Sequence, residues 1–167
     1  IFIGGWWWWV RRVHIRRRDV ETAVLVTGSR GKSSTVRALH AALSAAGMAT
    51  YAKTTGTAAA EIDVNGRETS TRRIGQVTVL ETLRIMQKAL GNGDKPNALV
   101  FECMAVRPNL IAVLANDMLK PDIAIVTNAQ VDHLEDEGSS LEEIARAMSE
   151  AITPGSLAIT GEDELNL

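Results

Sequence analysis

Short apolar runs alternate with longer amphipathic stretches from residue 21 to residue 160, with Gly, Pro or Asn between them, and this alternation fixes the class of fold. Residues 23–27 (AVLVT), 48–53, 98–102 (ALVFE), 123–127 (IAIVT) and 157–160 read as strands. Residues 33–46, ended by Gly47, read as a helix, as do 77–90, 110–119 ahead of Pro121, and 140–151. Strands separated by helices of this length pair in parallel only through crossover connections. The expected architecture is therefore α/β, a mostly parallel sheet flanked by helices. Residues 61–64 and 68–71 flank Asn65-Gly66, a dipeptide that supplies positive φ at both centres of a type I′ turn, and predict a small surface hairpin.

In such a sheet ligands bind outside the carboxyl ends of the strands, so the informative residues follow each apolar run. After the first run comes Gly28-Ser29-Arg30-Gly31-Lys32-Ser33-Ser34, leading into a helix. Phosphate binding asks for glycines where backbone N–H groups close around oxygens, a Lys to neutralise the β- and γ-phosphates, and a hydroxyl at the helix start to hold Mg²⁺. The segment supplies all three, although Val26 stands where the strict GxxxxGK[ST] pattern has its first Gly. Glu102 ends the run 98–102. A carboxylate there is costly to bury unless it is paired or bound to a cation, so it reads either as a Mg²⁺ ligand or as a side chain at the solvent edge. After 123–127 come Asn128, Asp132, His133 and Glu135, an amide, an imidazole and carboxylates at a third strand end, where they could meet the metal of the phosphate loop. His14 and His40 read as surface or packing histidines, and Cys103 and Met104 as packing residues.

Charge narrows the function classes. The chain carries 18 Lys+Arg against 20 Asp+Glu, a net of −2, but five of the basic residues (Arg11, Arg12, Arg16, Arg17, Arg18) lie in the first eighteen positions with no acid among them. Residues 19–167 are left with 13 basic and 20 acidic groups, a net of −7, which is not the field of a nucleic-acid binder. A single cysteine makes no internal disulfide and suits a reducing compartment. Residues 1–10 (IFIGGWWWWV) are apolar or Gly and run straight into the arginines. An aromatic belt followed by positive charge is the order at the cytoplasmic end of a membrane helix, so residues 1–18 read as a truncated membrane-anchor end. A signal-peptide remnant or a vector-derived end are the other readings. All of them make residues 19–167 a separate unit.

GSRGKSSTVR at 28–37, KTTGT at 53–57, FECMAVRPN at 101–109 and VDHLE at 131–135 resemble, in this order, the central ATPase domain of the Mur ligase superfamily. Within it they look like the ligase subunits of poly-γ-glutamate synthases (CapB/PgsB type), over about residues 19–160, with the chain as the N-terminal part of that domain. What the resemblance implies is an ATP-dependent amide ligase using ATP and Mg²⁺: a γ-phosphoryl group passes to a carboxylate of glutamate or of a growing γ-linked chain, and an amine attacks the acyl phosphate. Lys32 would bind the β/γ-phosphates, with Gly28, Ser29, Arg30, Gly31, Ser33, Ser34 and Asn128 also around the nucleotide. Ser33, Glu102 and His133 would hold metal, and Thr55, Thr57 and Arg107 would meet substrate. Lys32, Glu102 and His133 form the expected catalytic set. The resemblance also implies the cytoplasmic face of the cell membrane, membrane-embedded partner subunits of a polymer synthesis and export complex, and a homo-oligomer. A folylpolyglutamate synthase-like or cell-wall ligase, and a membrane-associated P-loop ATPase or scaffold, are the alternatives. Where many Mur ligases carry a carbamoylated lysine this chain has none, since no lysine follows Lys120, and Met148 stands near that position.

Overall fold

A computed structural model describes residues 11, 17, 19–71, 79–91, 95–104, 107–130 and 140–161. Its strands are β1 (Thr22–Thr27), β2 (Thr50–Lys53), β3 (Ala60–Ile62), β4 (Glu68–Ser70), β5 (Ala98–Glu102), β6 (Ile123–Val126) and β7 (Leu157–Thr160). Its helices are α1 (Lys32–Ala45), α2 (Val79–Gly91), α3 (Pro108–Ala112), which runs on with wider π-type hydrogen bonding through Val113–Leu119, and α4 (Leu141–Ser149). The strands form one sheet in the order β4-β3-β2-β5-β1-β6-β7. β2, β5, β1, β6 and β7 are parallel, and the hairpin β3-β4 adds two antiparallel strands at one edge. The α/β architecture expected from the alternating runs is the one found.

Helices cover both faces of the central strands, which is why those strands are apolar along their length rather than alternating. β5 is buried throughout. Leu25, Leu99 and Phe101 face α2 and α3, packing with Leu83, Met86, Ile111, Leu114 and Leu119. Val24, Val26, Ala52 and Val100 face α1 and meet Val36, Leu39 and Leu43. Val36, Leu39, His40 and Leu43 recur at the three-and-four spacing of one helix face. His40 is buried there with its Nε2 3.1 Å from the Asp63 carbonyl oxygen, which makes it the packing histidine that was expected. α4 starts on a capping serine, Ser140, whose hydroxyl accepts the Glu143 N–H at 3.2 Å. It packs Ile144 and Met148 against Val126. α3 and its π-type extension end at Lys120, which takes the left-handed conformation (φ 50°) ahead of Pro121.

The hairpin turn differs from expectation. A type I′ turn needs positive φ at Asn65 as well as Gly66, and of the two only Gly66 has it (φ 78°). The Asp63 carboxylate instead accepts the N–H groups of Asn65 at 3.0 Å and Arg67 at 2.9 Å, while the Gly66 N–H donates to the Asp63 carbonyl at 2.9 Å. An aspartate that satisfies the loop with its own side chain supports a longer turn than the dipeptide alone suggests.

Two features place the site. From β1 the chain crosses to β2, returns to β5, and then crosses to β6 on the other side of β1, so the carboxyl ends of β5, β1 and β6 lie together at the point where strand order reverses. At the opposite pole Arg17 is buried. Its guanidinium donates to the carbonyls of Leu119 (3.0 Å), Val20 (3.0 Å) and Lys120 (3.1 Å) and to the Asp122 carboxylate (2.6 Å). That carboxylate oxygen also accepts the Ala23 N–H at 2.7 Å. Arg17 therefore serves the fold, although its sequence neighbours group it with the basic cluster. Among the described residues no helix is long and apolar enough to cross a membrane.

Candidate functional site

The segment between β1 and α1 follows from three local requirements. Gly28 has φ 132° and Gly31, the N-cap of α1, has φ 83°, both in the region that side chains avoid. Gly31 offers no side-chain cap, so the first N–H groups of α1, on Lys32, Ser33 and Ser34, keep their donor capacity for a ligand at the positive end of the helix. The Lys32 ammonium folds back over the loop, donating to the Gly28 carbonyl and, at 3.2 Å, to the Ser29 carbonyl. A cation and a row of aimed N–H groups thus converge on the carboxyl end of β1.

Glu102 reaches this place through strand register. Its partner on β1 is Val26, and the alternation of β5 turns Glu102 with Val100 toward the α1 face while Phe101 turns away. Glu102 is 3% exposed. One of its carboxylate oxygens accepts the Ser33 hydroxyl at 2.7 Å and the Thr55 backbone N–H at 2.8 Å. Of the two sequence readings, a solvent-edge glutamate is set aside by this burial. The pair Ser33 Oγ and Glu102 Oε2 is an all-oxygen donor set, which suits a hard cation such as Mg²⁺ that keeps several waters and takes its remaining ligands from phosphate.

Thr55 is brought in by its backbone. It is the N-cap of a short 3₁₀ turn, Gly56–Ala58, and is itself buried. The preceding Thr54 fixes the turn: its N–H donates to the Ala60 carbonyl at 2.8 Å and its Oγ1 accepts the Ala60 N–H at 3.0 Å. Thr57 lies within the same turn. Arg107 is the exposed N-cap of α3, beyond the end of β5. Asp132, His133 and Glu135 lie outside the described residues.

Ser29 and Asn128, both expected at the nucleotide, are used to brace the loop. The Asn128 side chain accepts the Arg30 N–H at 2.9 Å and donates to the Arg30 carbonyl at 3.1 Å, and its backbone carbonyl accepts the Ser29 N–H at 3.0 Å. The Ser29 hydroxyl donates to the Gln130 carbonyl and accepts the Gln130 N–H, both at 2.8 Å. Two loop N–H groups are consumed in this way. The donors left for phosphate are those from Gly31 onward.

Sequence reasoning missed the bracing roles of Thr127 and Gln130, which carry no chemical signature of their own. It also missed the partner of Lys53. That ammonium, fully buried on the face away from the phosphate loop, lies 3.5 Å from the Glu81 carboxylate of α2. Only a strand ending in Lys beside a helix beginning with Glu could have suggested the pair.

Comparison with known proteins agrees with this geometry. The family model described as the Mur ligase middle domain matches residues 26–164. The chain is 32% identical over 157 residues to PGA synthase CapB of Bacillus subtilis (strain 168), covering 92% of this chain and 39% of that protein. It is 30% identical over 167 residues to the capsule biosynthesis protein CapB of Bacillus anthracis, covering 98% of this chain and 35% of that one. The chain therefore spans well under half the length of these curated relatives. Among solved structures, a bifunctional folylpolyglutamate synthase/dihydrofolate synthase of Yersinia pestis, complexed with AMPPNP and Mn ion, superposes with a TM-score of 0.71 at 20% identity, over 93% of this chain and 42% of that one. MurF from Acinetobacter baumannii does so with a TM-score of 0.60 at 20% identity, over 91% and 29%. A family model that spans the glycine-rich strand-loop-helix and the buried glutamate held to its first serine makes this chain a member of the Mur ligase family, matching its middle domain.

Proposed function

We propose that the chain carries the nucleotide and metal centre of an ATP-dependent amide ligase that forms γ-glutamyl bonds, as in poly-γ-glutamate synthesis. The observation that carries the reading is the buried Glu102 carboxylate on the Ser33 hydroxyl, beside Lys32 and the uncapped start of α1. Phosphoryl transfer needs positioning and charge neutralisation more than covalent chemistry by the protein. Lys32 exchanges its loop carbonyls for β- and γ-phosphate oxygens. The N–H groups of Gly31, Lys32, Ser33 and Ser34 take the phosphate oxygens that face the helix. Ser33 and Glu102 would hold Mg²⁺, which would supply charge neutralisation on the transferring group, and by family resemblance His133 would add a ligand to a second metal. The Thr55 N–H, with the Ser33 hydroxyl, holds the buried Glu102 carboxylate in place beside the start of α1, where it would meet a metal.

The substrate class, glutamate or a γ-linked glutamate chain, is supported by the similarity to the two capsule proteins. Arg107, Thr55 and Thr57 belong to the acyl and amine side of this proposal, with Arg107 suited to a bidentate grip on a carboxylate. Placement at the cytoplasmic face of the membrane is supported by Trp6–Trp9 followed by arginines, and membrane-embedded partner subunits by the family resemblance alone. Self-association completes the proposed assembly.

ADP release by the intact protein with Mg²⁺ and ATP, with and without glutamate, tests the reading. The expected result is glutamate-stimulated release with a γ-linked product, lowered about 100-fold or more by Lys32→Ala. Release indifferent to glutamate would make the protein an ATPase, and release unaffected by Lys32→Ala would remove the phosphate loop from the chemistry.

A further inference from the structure

Thr127, immediately after β6, is wedged between two glycines. Its Oγ1 donates to the Arg30 carbonyl at 2.7 Å and lies 3.2 Å from the Thr27 carbonyl oxygen. A Cβ added at Gly28 would fall 2.0 Å from that Oγ1 and 3.0 Å from the Thr127 nitrogen. On the other side, a Cβ added at Gly161 would fall 2.6 Å from the Thr127 carbonyl oxygen. The Gly161 N–H donates to the Val126 carbonyl at 3.1 Å, which seats this second glycine beside the end of β6. The phosphate loop, the end of β6 and the end of β7 thus meet at one residue with no space between them.

We propose that Thr127 is a positioning residue for the phosphate loop, and that Gly161 is the glycine that lets it sit there. The proposal rests on the reading of that loop as the nucleotide site. Gly31 and the N–H groups behind it are aimed by the turn that precedes them, and that turn is tied down at Arg30. Asn128 takes the Arg30 N–H and one side of the Arg30 carbonyl, and Thr127 takes the other. A carbonyl held by two donors cannot swing toward the phosphate position, where its lone pairs would repel an anion. Thr127 acts on the ligand only through the loop. The side chain required is a hydroxyl on a short stem, because nothing longer fits against Gly28.

Thr127→Val keeps the shape and removes the O–H, Thr127→Ser keeps the O–H, and Gly161→Ala pushes on the Thr127 carbonyl. Two readouts are taken on the full chain: amide hydrogen exchange at Ser29 and Arg30 without nucleotide, with Val24 and Leu25 of β1 as internal standards, and Mg²⁺-ATP affinity. Loss of one hydrogen bond predicts exchange about tenfold faster at the loop amides, unchanged exchange in β1, and affinity about tenfold weaker for Thr127→Val. Gly161→Ala should follow Thr127→Val, and Thr127→Ser should stay near the parent. Thr127→Val with parental exchange and affinity would overturn the proposal. So would equal losses in the Val and Ser variants, which would assign the effect to packing. A parent chain that binds no ATP, with the loop amides still loosened in Thr127→Val, would uphold the positioning role and sink the nucleotide reading.

Discussion

Tyr51 and Glu102 illustrate how a single residue acquires its chemistry from distant partners. The Tyr51 hydroxyl donates to the Glu61 carboxylate, which also accepts the Lys88 ammonium at 2.8 Å, in a cleft of about 100 Å³ lined in addition by Asp63, Arg67, Thr69 and Ala89. Burial first, then that hydrogen bond and the negative charges of Glu61 and Asp63, push the phenol well above its ordinary value of 10.0. A phenol whose pKa is raised on folding stabilises the fold fully below about pH 10, and that contribution is lost as pH rises beyond it. Tyr51 is the sole tyrosine, so phenolate absorbance reads it directly. It should appear together with the loss of far-ultraviolet dichroism, well above the ordinary range. Phenolate forming near pH 10 in a chain with intact dichroism would show the group to be open to solvent. At this scale the sequence offered Glu102 as a polar end to an apolar strand, but not its state. Ser33 and Thr55, 69 and 47 residues away, decide that state through strand register.

At the scale of elements, the apolar runs and helix faces were legible because their periodicity is local, and the boundaries fall within a few residues of the expected ones. Three things were not legible: one is a local side-chain contact and two are long-range contacts. The hairpin turn depends on the Asp63 side chain satisfying Asn65 and Arg67, where the dipeptide Asn65-Gly66 alone pointed to a tighter turn. The phosphate loop depends on Thr127, Asn128 and Gln130, about a hundred residues later in the chain. The base of β1 and β6 depends on Arg17, which binds residues more than a hundred positions away. Arg17→Met keeps the length of the stem and deletes four hydrogen bonds, to three carbonyls and one carboxylate. It should lower stability by about 2 kcal/mol, less than a fully buried pair would because Asp122 is half exposed. Urea unfolding measures this. A parental midpoint and slope would mean that the Arg17 contacts add nothing to the fold.

Across the whole molecule, a single sheet order brings the carboxyl ends of β1, β5 and β6 to one crevice, while Arg17 closes the opposite pole. Each strand contributes one part to that crevice: the phosphate loop from β1, the buried carboxylate from β5, and the brace from the segment after β6. None of the three binds a metal-nucleotide alone, since the loop lacks a carboxylate, Glu102 lacks phosphate donors, and the brace spends its donors on the loop. Mg²⁺ and ATP are therefore expected to bind together, through Ser33 and Glu102 on one side and Lys32 on the other. Calorimetric titration of ATP into the chain, with and without Mg²⁺, for the parent and for Glu102→Gln, tests it most directly. Mg²⁺ should tighten ATP binding in the parent, and Glu102→Gln, which keeps the shape and removes the charge, should abolish most of that gain. Equal Mg²⁺ dependence in the two proteins would contradict it, because the buried carboxylate would then have no part in holding the metal.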